Sequence, residues 1–146
     1  MAYLLVVDDD ADLAAVLAEV LRAEGHCVRT AIGGEEGLRS LNEKLPDLVL
    51  LDVEMPGMTG PTMAVRMFLH DHGAEYVPIL LASGVPDLHR VASAVGTPYY
   101  VSKGFQIPEL LDVLGRALRE RRPPAGAETR HQQRLSAPPA VGGPPA

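Results

Sequence analysis

Tryptophan is absent, aromatic residues make up 4% of the 146 positions, and cysteine occurs once. A core built from this chain is therefore aliphatic. The single cysteine, Cys27, excludes an intramolecular disulfide framework and a multi-thiolate zinc site. It reads as a small buried hydrophobe in a reduced compartment. No apolar run approaches the roughly 20 residues that span a bilayer; Val77-Pro78-Ile79-Leu80-Leu81-Ala82 is among the longest. The N-terminus has no charged start followed by an apolar stretch and a small-residue cleavage site, so a cytoplasmic protein with no membrane partner is expected. Lysine is scarce too: Lys44 and Lys103 stand against eleven arginines.

Charge is abundant but unevenly spread. Residues 1–120 hold nine basic and eighteen acidic side chains, whereas residues 121–146 hold four arginines and one glutamate. An acidic body is repelled by phosphate backbones, so no nucleic acid partner is expected. From Arg121 onward 14 of 26 residues are Pro, Gly or Ala, and only Leu135 and Val141 are large and apolar. Such a segment buries too little surface to offset its ordering entropy. The chain therefore divides into a domain over 1–120 and a disordered tail or linker over 121–146.

The first 120 residues alternate two kinds of pattern. The continuous apolar run at Tyr3–Val7 reads as a strand buried on both faces, and further strands are expected at Cys27–Ala31, Leu48–Leu51, residues 79–82 and residues 99–101. Between them lie helical stripes. Leu13, Val16, Leu17, Val20 and Leu21 mark the first, and a second spans residues 35–43. The third starts at Pro61 behind Thr59 or Gly60 and runs to about His70. Leu88, Val91, Ala92 and Val95 mark the fourth; Ile107, Leu110, Leu111, Leu114 and Leu118 mark the fifth. Five βα units predict an α/β fold, a five-stranded parallel sheet with helices on both faces. Ligands of such sheets bind beyond the carboxyl ends of the strands.

Those ends carry the chemistry. The first strand ends in Asp8-Asp9-Asp10, the third in Asp52, the fourth in Ser83, and the fifth just before Lys103. Carboxylates brought together raise one another's pKa unless something neutralises them. A hard divalent cation does so, taking one or two carboxylates and often a carbonyl while leaving sites for water or phosphate oxygens. A lysine and a hydroxyl suit the other oxygens of a phosphoryl group. Single acids after strands are commonly helix caps, and a lone Ser or Lys in a loop is usually inert. Several strand ends agreeing at once point to a phosphoryl site. Other signals are bland: Gly33-Gly34-x-x-Gly37 reads as a turn and helix start, His70-x-His72 as a solvated loop, and Met55, Met58, Met63 and Met67 as packing around the third helix.

The strand-end segments are Leu5-Val6-Val7-Asp8-Asp9, Leu51-Asp52-Val53-Glu54-Met55-Pro56-Gly57-Met58-Thr59-Gly60, Pro78-Ile79-Leu80-Leu81-Ala82-Ser83-Gly84 and Tyr99-Tyr100-Val101-Ser102-Lys103. In this order and spacing they resemble the receiver domain of two-component response regulators, of the stand-alone, chemotaxis-receiver kind, over residues 1 to about 120. The resemblance implies the flavodoxin-like strand order 2-1-3-4-5. It also implies Asp52 as phosphoacceptor and Mg²⁺ held by the carboxylates of Asp9 and Asp52, the backbone carbonyl of Glu54, and Asp8 through a water. Ser83 would bond a phosphoryl oxygen, Lys103 would pair with Asp52 or its phosphate, and Tyr100 would turn inward as Ser83 is drawn to the phosphoryl group. The implied partners are a histidine kinase or phosphotransfer protein, and a downstream protein that reads the face of helix 4, strand 5 and helix 5. The implied role is a phosphorelay module that accepts a phosphoryl group and is not a turnover enzyme. A haloacid-dehalogenase-type phosphatase would need Asp-x-Asp followed by Gly-Thr after the first strand, which is missing. Gly104 departs from the family's usual proline after the lysine, where the bond is typically cis; proline at 104 is expected to lower the cost of that bond. The same departure leaves a phosphorylation-independent interaction module as the alternative. Val85, unable to hydrogen-bond an attacking water, implies a long-lived phosphoryl state.

Overall fold

The computed structural model describes residues 1–69 and 73–125. The elements in chain order are β1 (Tyr3–Val7), α1 (Ala11–Ala23), β2 (Cys27–Ala31), α2 (Gly34–Glu43), β3 (Leu48–Leu51), α3 (Gly60–Leu69), a 3₁₀ turn (Ala74–Tyr76), β4 (Ile79–Ser83), α4 (Leu88–Val95), β5 (Tyr99–Ser102) and α5 (Ile107–Glu120). All strand pairs are parallel, and the sheet order is β2-β1-β3-β4-β5. The Gly33-Gly34 stretch is the turn into α2, as expected. His70, Asp71, His72 and residues 126–146 lie outside the described residues, and with them the reading of His70-x-His72 as a loop and most of the tail.

Successive strand residues point to opposite faces, so each apolar run feeds two cores at once. Leu5, Val7, Val49, Leu51, Ile79 and Leu81 meet α2, α3 and α4 through Leu41, Met63, Met67, Phe68, Leu88 and Val95. Leu4, Val6, Leu48, Leu50, Leu80 and Tyr99 meet α1 and α5 through Leu17, Leu21, Leu110 and Leu114. The four methionines expected around α3 are all buried. The central strands β1, β3 and β4 are almost wholly apolar, Ser83 at the end of β4 being polar, because both of their faces are covered.

The edge strand β2 is different. It is only partly covered, and Cys27 at its start is exposed rather than buried. With neighbours on one side only, its outer positions face solvent. Beyond α5 the chain stays close to the body as far as residue 125. Arg121 caps α5 in a left-handed conformation and pairs with Asp47 at 3.2 Å. The Arg122 N–H donates to the Tyr99 hydroxyl (3.4 Å), and the Ala125 N–H to the Gly96 carbonyl (2.8 Å). Residues 121–125 thus lie against the body. Asp47 is a tie point: its Oδ2 accepts from Tyr3 N at 2.7 Å, and its own N–H donates to Tyr3 O at 2.7 Å.

Candidate functional site

The order 2-1-3 makes β1 and β3 adjacent while their following helices pack on opposite faces, which opens a crevice at their carboxyl ends. Val7 and Leu51 are register partners, so Asp8 and Asp52 emerge side by side. The ladder continues one residue beyond each strand: Asp52 N–H donates to Val7 O and Asp8 N–H to Ala31 O, both at 3.0 Å. The site is therefore held by the sheet itself. Asp8 and Asp52 are 3% and 4% exposed. Asp9 is exposed at the rim, and the three carboxylates have oxygens within 4.8 Å of one another.

Lys103 arrives from the far side. Its N–H donates to Ser83 O at 2.8 Å, extending the β4–β5 ladder. Its Nζ lies 3.2 Å from Asp52 Oδ2 and 3.3 Å from Asp8 Oδ2. Burial works against the ammonium, but the charges and hydrogen bonds of Asp52 and Asp8 outweigh it and hold Lys103 above the usual lysine value. Burial pushes Asp8 up; the Asp10 N–H bond pulls it down, the Asp52 charge adds to the rise, Lys103 opposes it, and the net direction is upward. Three carboxylates against one ammonium leave two negative charges in excess. Oxygen donors with that excess fit a hard divalent cation such as Mg²⁺.

The local sequence explains how the loops hold these positions. Asp10 Oδ1 accepts from Leu13 N (3.1 Å) and caps α1, while Asp10 N–H donates to Asp8 Oδ1 (2.9 Å). The third acid of the Asp8-Asp9-Asp10 run thus serves the helix. Thr59 Oγ1 accepts from Thr62 N and starts α3. Gly60 passes so close to β3 that a Cβ there would sit 2.2 Å from the Asp52 carbonyl. The 52–60 loop therefore folds back only because residue 60 has no side chain.

Of the sequence candidates, Asp8, Asp9, Asp52 and Lys103 come together in one pocket. Ser83 is 1% exposed at the end of β4, where its Oγ accepts from Val85 N at a long 3.4 Å. Glu54 lies in the β3–α3 loop with its side chain in solvent. Tyr100 is turned outward, 36% exposed, with its hydroxyl 3.1 Å from His89 Nδ1. Neither His89 nor Gly60 had been marked as a site neighbour. Gly60 reads in sequence as a helix cap, and no local pattern links His89 to Tyr100, eleven positions further on. Among the described residues no peptide bond is cis, and Gly104 sits at φ +98°. The expectation that proline would suit this position is corrected: proline fixes φ near −65°. A left-handed glycine brings Lys103 to the two acids.

A parallel sheet with paired acids and a lysine at its switch point defines an acidic site on a flavodoxin-like frame. The sequence matches the response regulator receiver domain over residues 4–115, and the chain belongs to that family. It is 37% identical over 118 residues to the transcriptional regulatory protein PrrA of Mycobacterium tuberculosis, covering 80% of this chain and 50% of that one. It is 39% identical over 110 residues to the DNA-binding response regulator MtrA of Mycobacterium tuberculosis, covering 74% and 46%. The chain thus spans about half the length of these curated relatives. Among solved structures, the chemotaxis protein CheY4 of Vibrio cholerae superposes with a TM-score of 0.70 at 32% identity, covering 80% of this chain and 98% of that one. MtrA's DNA-binding name does not fit the expectation of no nucleic acid partner. That expectation rested on the net charge of residues 1–120, which speaks only for the surface those residues form. No helix among the described residues is long and apolar enough to cross a membrane.

Proposed function

We propose that this receiver domain accepts a phosphoryl group on Asp52, in the presence of Mg²⁺, from a phosphohistidine of a kinase or phosphotransfer protein in the cytoplasm. The observation that carries this reading is the Lys103 ammonium bridging Asp8 and Asp52 with Asp9 alongside. Asp9, Asp52, the Glu54 carbonyl and, through water, Asp8 would hold the Mg²⁺, which supplies positive charge against the phosphoryl oxygens when bound. An Asp52 oxygen attacks phosphorus in line, the P–N bond to the donor breaks as the P–O bond forms, and the departing imidazole takes its proton from solvent. Lys103 stays charged throughout and exchanges part of its contact with Asp52 for a phosphoryl oxygen. Ser83, at the end of the strand next to β3, donates its hydroxyl to another. Such positioning and charge stabilisation are the main protein contributions to phosphoryl transfer.

The readout follows from Tyr100. Drawing Ser83 towards the site frees space behind it, and Tyr100 leaves His89 to turn inward, changing the α4–β5–α5 face that a downstream protein reads. The alternative is a phosphorylation-independent interaction module, which Gly104 suggested; the close approach of Lys103 to both acids favours the phosphoacceptor reading. Intact-mass spectrometry with acetyl phosphate or phosphoramidate tests the proposal. Mass gain by one phosphoryl group, lost on chelation of Mg²⁺, is expected. No gain with either donor at any Mg²⁺ concentration would overturn it.

A further inference from the structure

We infer that the groove between α3 and α4 docks an amphipathic helix of a partner protein that carries carboxylates beside its apolar stripe. The groove has a volume of about 370 Å³ and walls that are almost wholly aliphatic or aromatic. On α3 it is formed by Pro61, Ala64, Val65 and Phe68, a spacing of i, i+3, i+4 and i+7. On α4 it is formed by Val91, Ala94 and Val95. At 1.5 Å per residue the α3 wall runs for about 10 Å, two helical turns. That length seats the i, i+3/i+4 and i+7 side chains by which a helix lies in a groove. Val65 is 46% exposed at the rim, and Leu69, one turn on, continues the apolar edge at 61%.

Charge selects the occupant. Residues 1–120 carry twice as many acids as bases, yet neither α3 nor α4 contains an Asp or Glu. Their charged side chains are Arg66 on α3 and Arg90 on α4, the latter next to His89 in the chain, and Asp87 just precedes α4. Arg90 lines the groove itself. Arg29, Arg116 and Arg121 each pair with an acid; among the described residues Arg90, like several other arginines, does not. The exposed guanidinium of Arg90, lining an apolar cleft between two helices that carry no acid in an otherwise acidic molecule, complements carboxylates that flank an apolar stripe. Residues 126–146 have the wrong sign for this role, with Arg130 and Arg134 against Glu128. The groove lies on the α3 side of α4, whereas the phosphorylation readout uses α4 together with β5 and α5.

The test uses the full chain, ¹⁵N-labelled, titrated with two synthetic helical peptides. Both carry leucines at i, i+3, i+4 and i+7; one has glutamates at the flanking positions and the other lysines. The acidic peptide should bind with shifts confined to α3 and α4, at least about tenfold more tightly than its basic twin. Reversing the charge at the groove (R90E) should weaken it by at least about tenfold. Filling the groove with Ala94→Trp should do the same, and since Ala94 is exposed that variant keeps its fold. Equal binding of both peptides, shifts elsewhere, or no binding at millimolar peptide overturns the proposal. Two further results reassign the groove and also overturn it. One is self-association through α3 and α4, which makes the occupant a second copy. The other is a tenfold gain in peptide affinity on deletion of residues 126–146, which makes it the chain's own C-terminal segment.

Discussion

Replacing Asp52 with asparagine removes the nucleophile and one of three carboxylates packed within 4.8 Å. At that distance and an effective dielectric near 20, each like-charge pair costs about 3.5 kcal/mol. Asp52 takes part in two such pairs, with Asp8 and with Asp9. Its attraction to Lys103, at 3.2 Å, is worth about 5 kcal/mol on the same scale. Removing the charge thus relieves about 7 and forfeits about 5 kcal/mol. Asp9 is exposed and Lys103 partly so, and solvent screening shrinks both figures. The net is a gain of about 1–2 kcal/mol in Mg²⁺-free buffer at neutral pH, which raises the thermal midpoint by roughly 3–8 °C for a domain of this size. The asparagine oxygen can still accept from Lys103, so the geometry survives. Added Mg²⁺ should stabilise the parent more than the variant, because binding to the native state shifts stability by mass action, and so narrow the gap. Thermal melts with and without chelator decide the matter. A variant less stable than the parent by more than about 1 kcal/mol without Mg²⁺ would refute the claim that repulsion outweighs the lysine pair.

Gly104→Pro should cost about 2 kcal/mol or more in chemical denaturation, because a φ of +98° is closed to proline; an unchanged midpoint would count against the loop geometry. Ser40 is buried in α2 with its Oγ unpartnered among the described residues, so Ser40→Ala should leave stability unchanged or raise it by about 1 kcal/mol, read from urea midpoints. Asp47 is held below the usual carboxylate range chiefly by the Tyr3 N–H bond, with burial opposing and Arg121 assisting. A lowered folded pKa gives stability that is present above about pH 4 and lost as pH falls through the folded value. Asp47→Ala should therefore flatten the melting midpoint's decline in that acid window, and an unaltered pH profile would contradict the assignment.

Much of this was legible because strand runs and helix stripes follow different periods. The fully apolar Leu48–Leu51 reads as a strand between two helical stripes, and the acids ending the first and third strands mark the crevice. What escaped depended on neighbours distant in the chain. Cys27 has the composition of a core residue but lies on an edge strand, and strand order across the sheet is not written in local periodicity. Gly104 could be recognised as unusual but not as left-handed. Gly60 is needed because α3 starts against the Asp52 carbonyl, a constraint visible only when both are placed. The five residues after α5 are proline-rich in sequence, yet they follow the body because Tyr99, Asp47 and Gly96 offer them partners.

The central claim is that Asp52, and no other acid of the pocket, takes the phosphoryl group. Borohydride reduces an aspartyl phosphate to homoserine, so trapping after acetyl phosphate treatment, followed by peptide mass mapping, locates the adduct. The account predicts homoserine at position 52, absent without Mg²⁺ and absent in Asp52→Asn. Reduction at Asp8 or Asp9, or labelling that persists in Asp52→Asn, would contradict it.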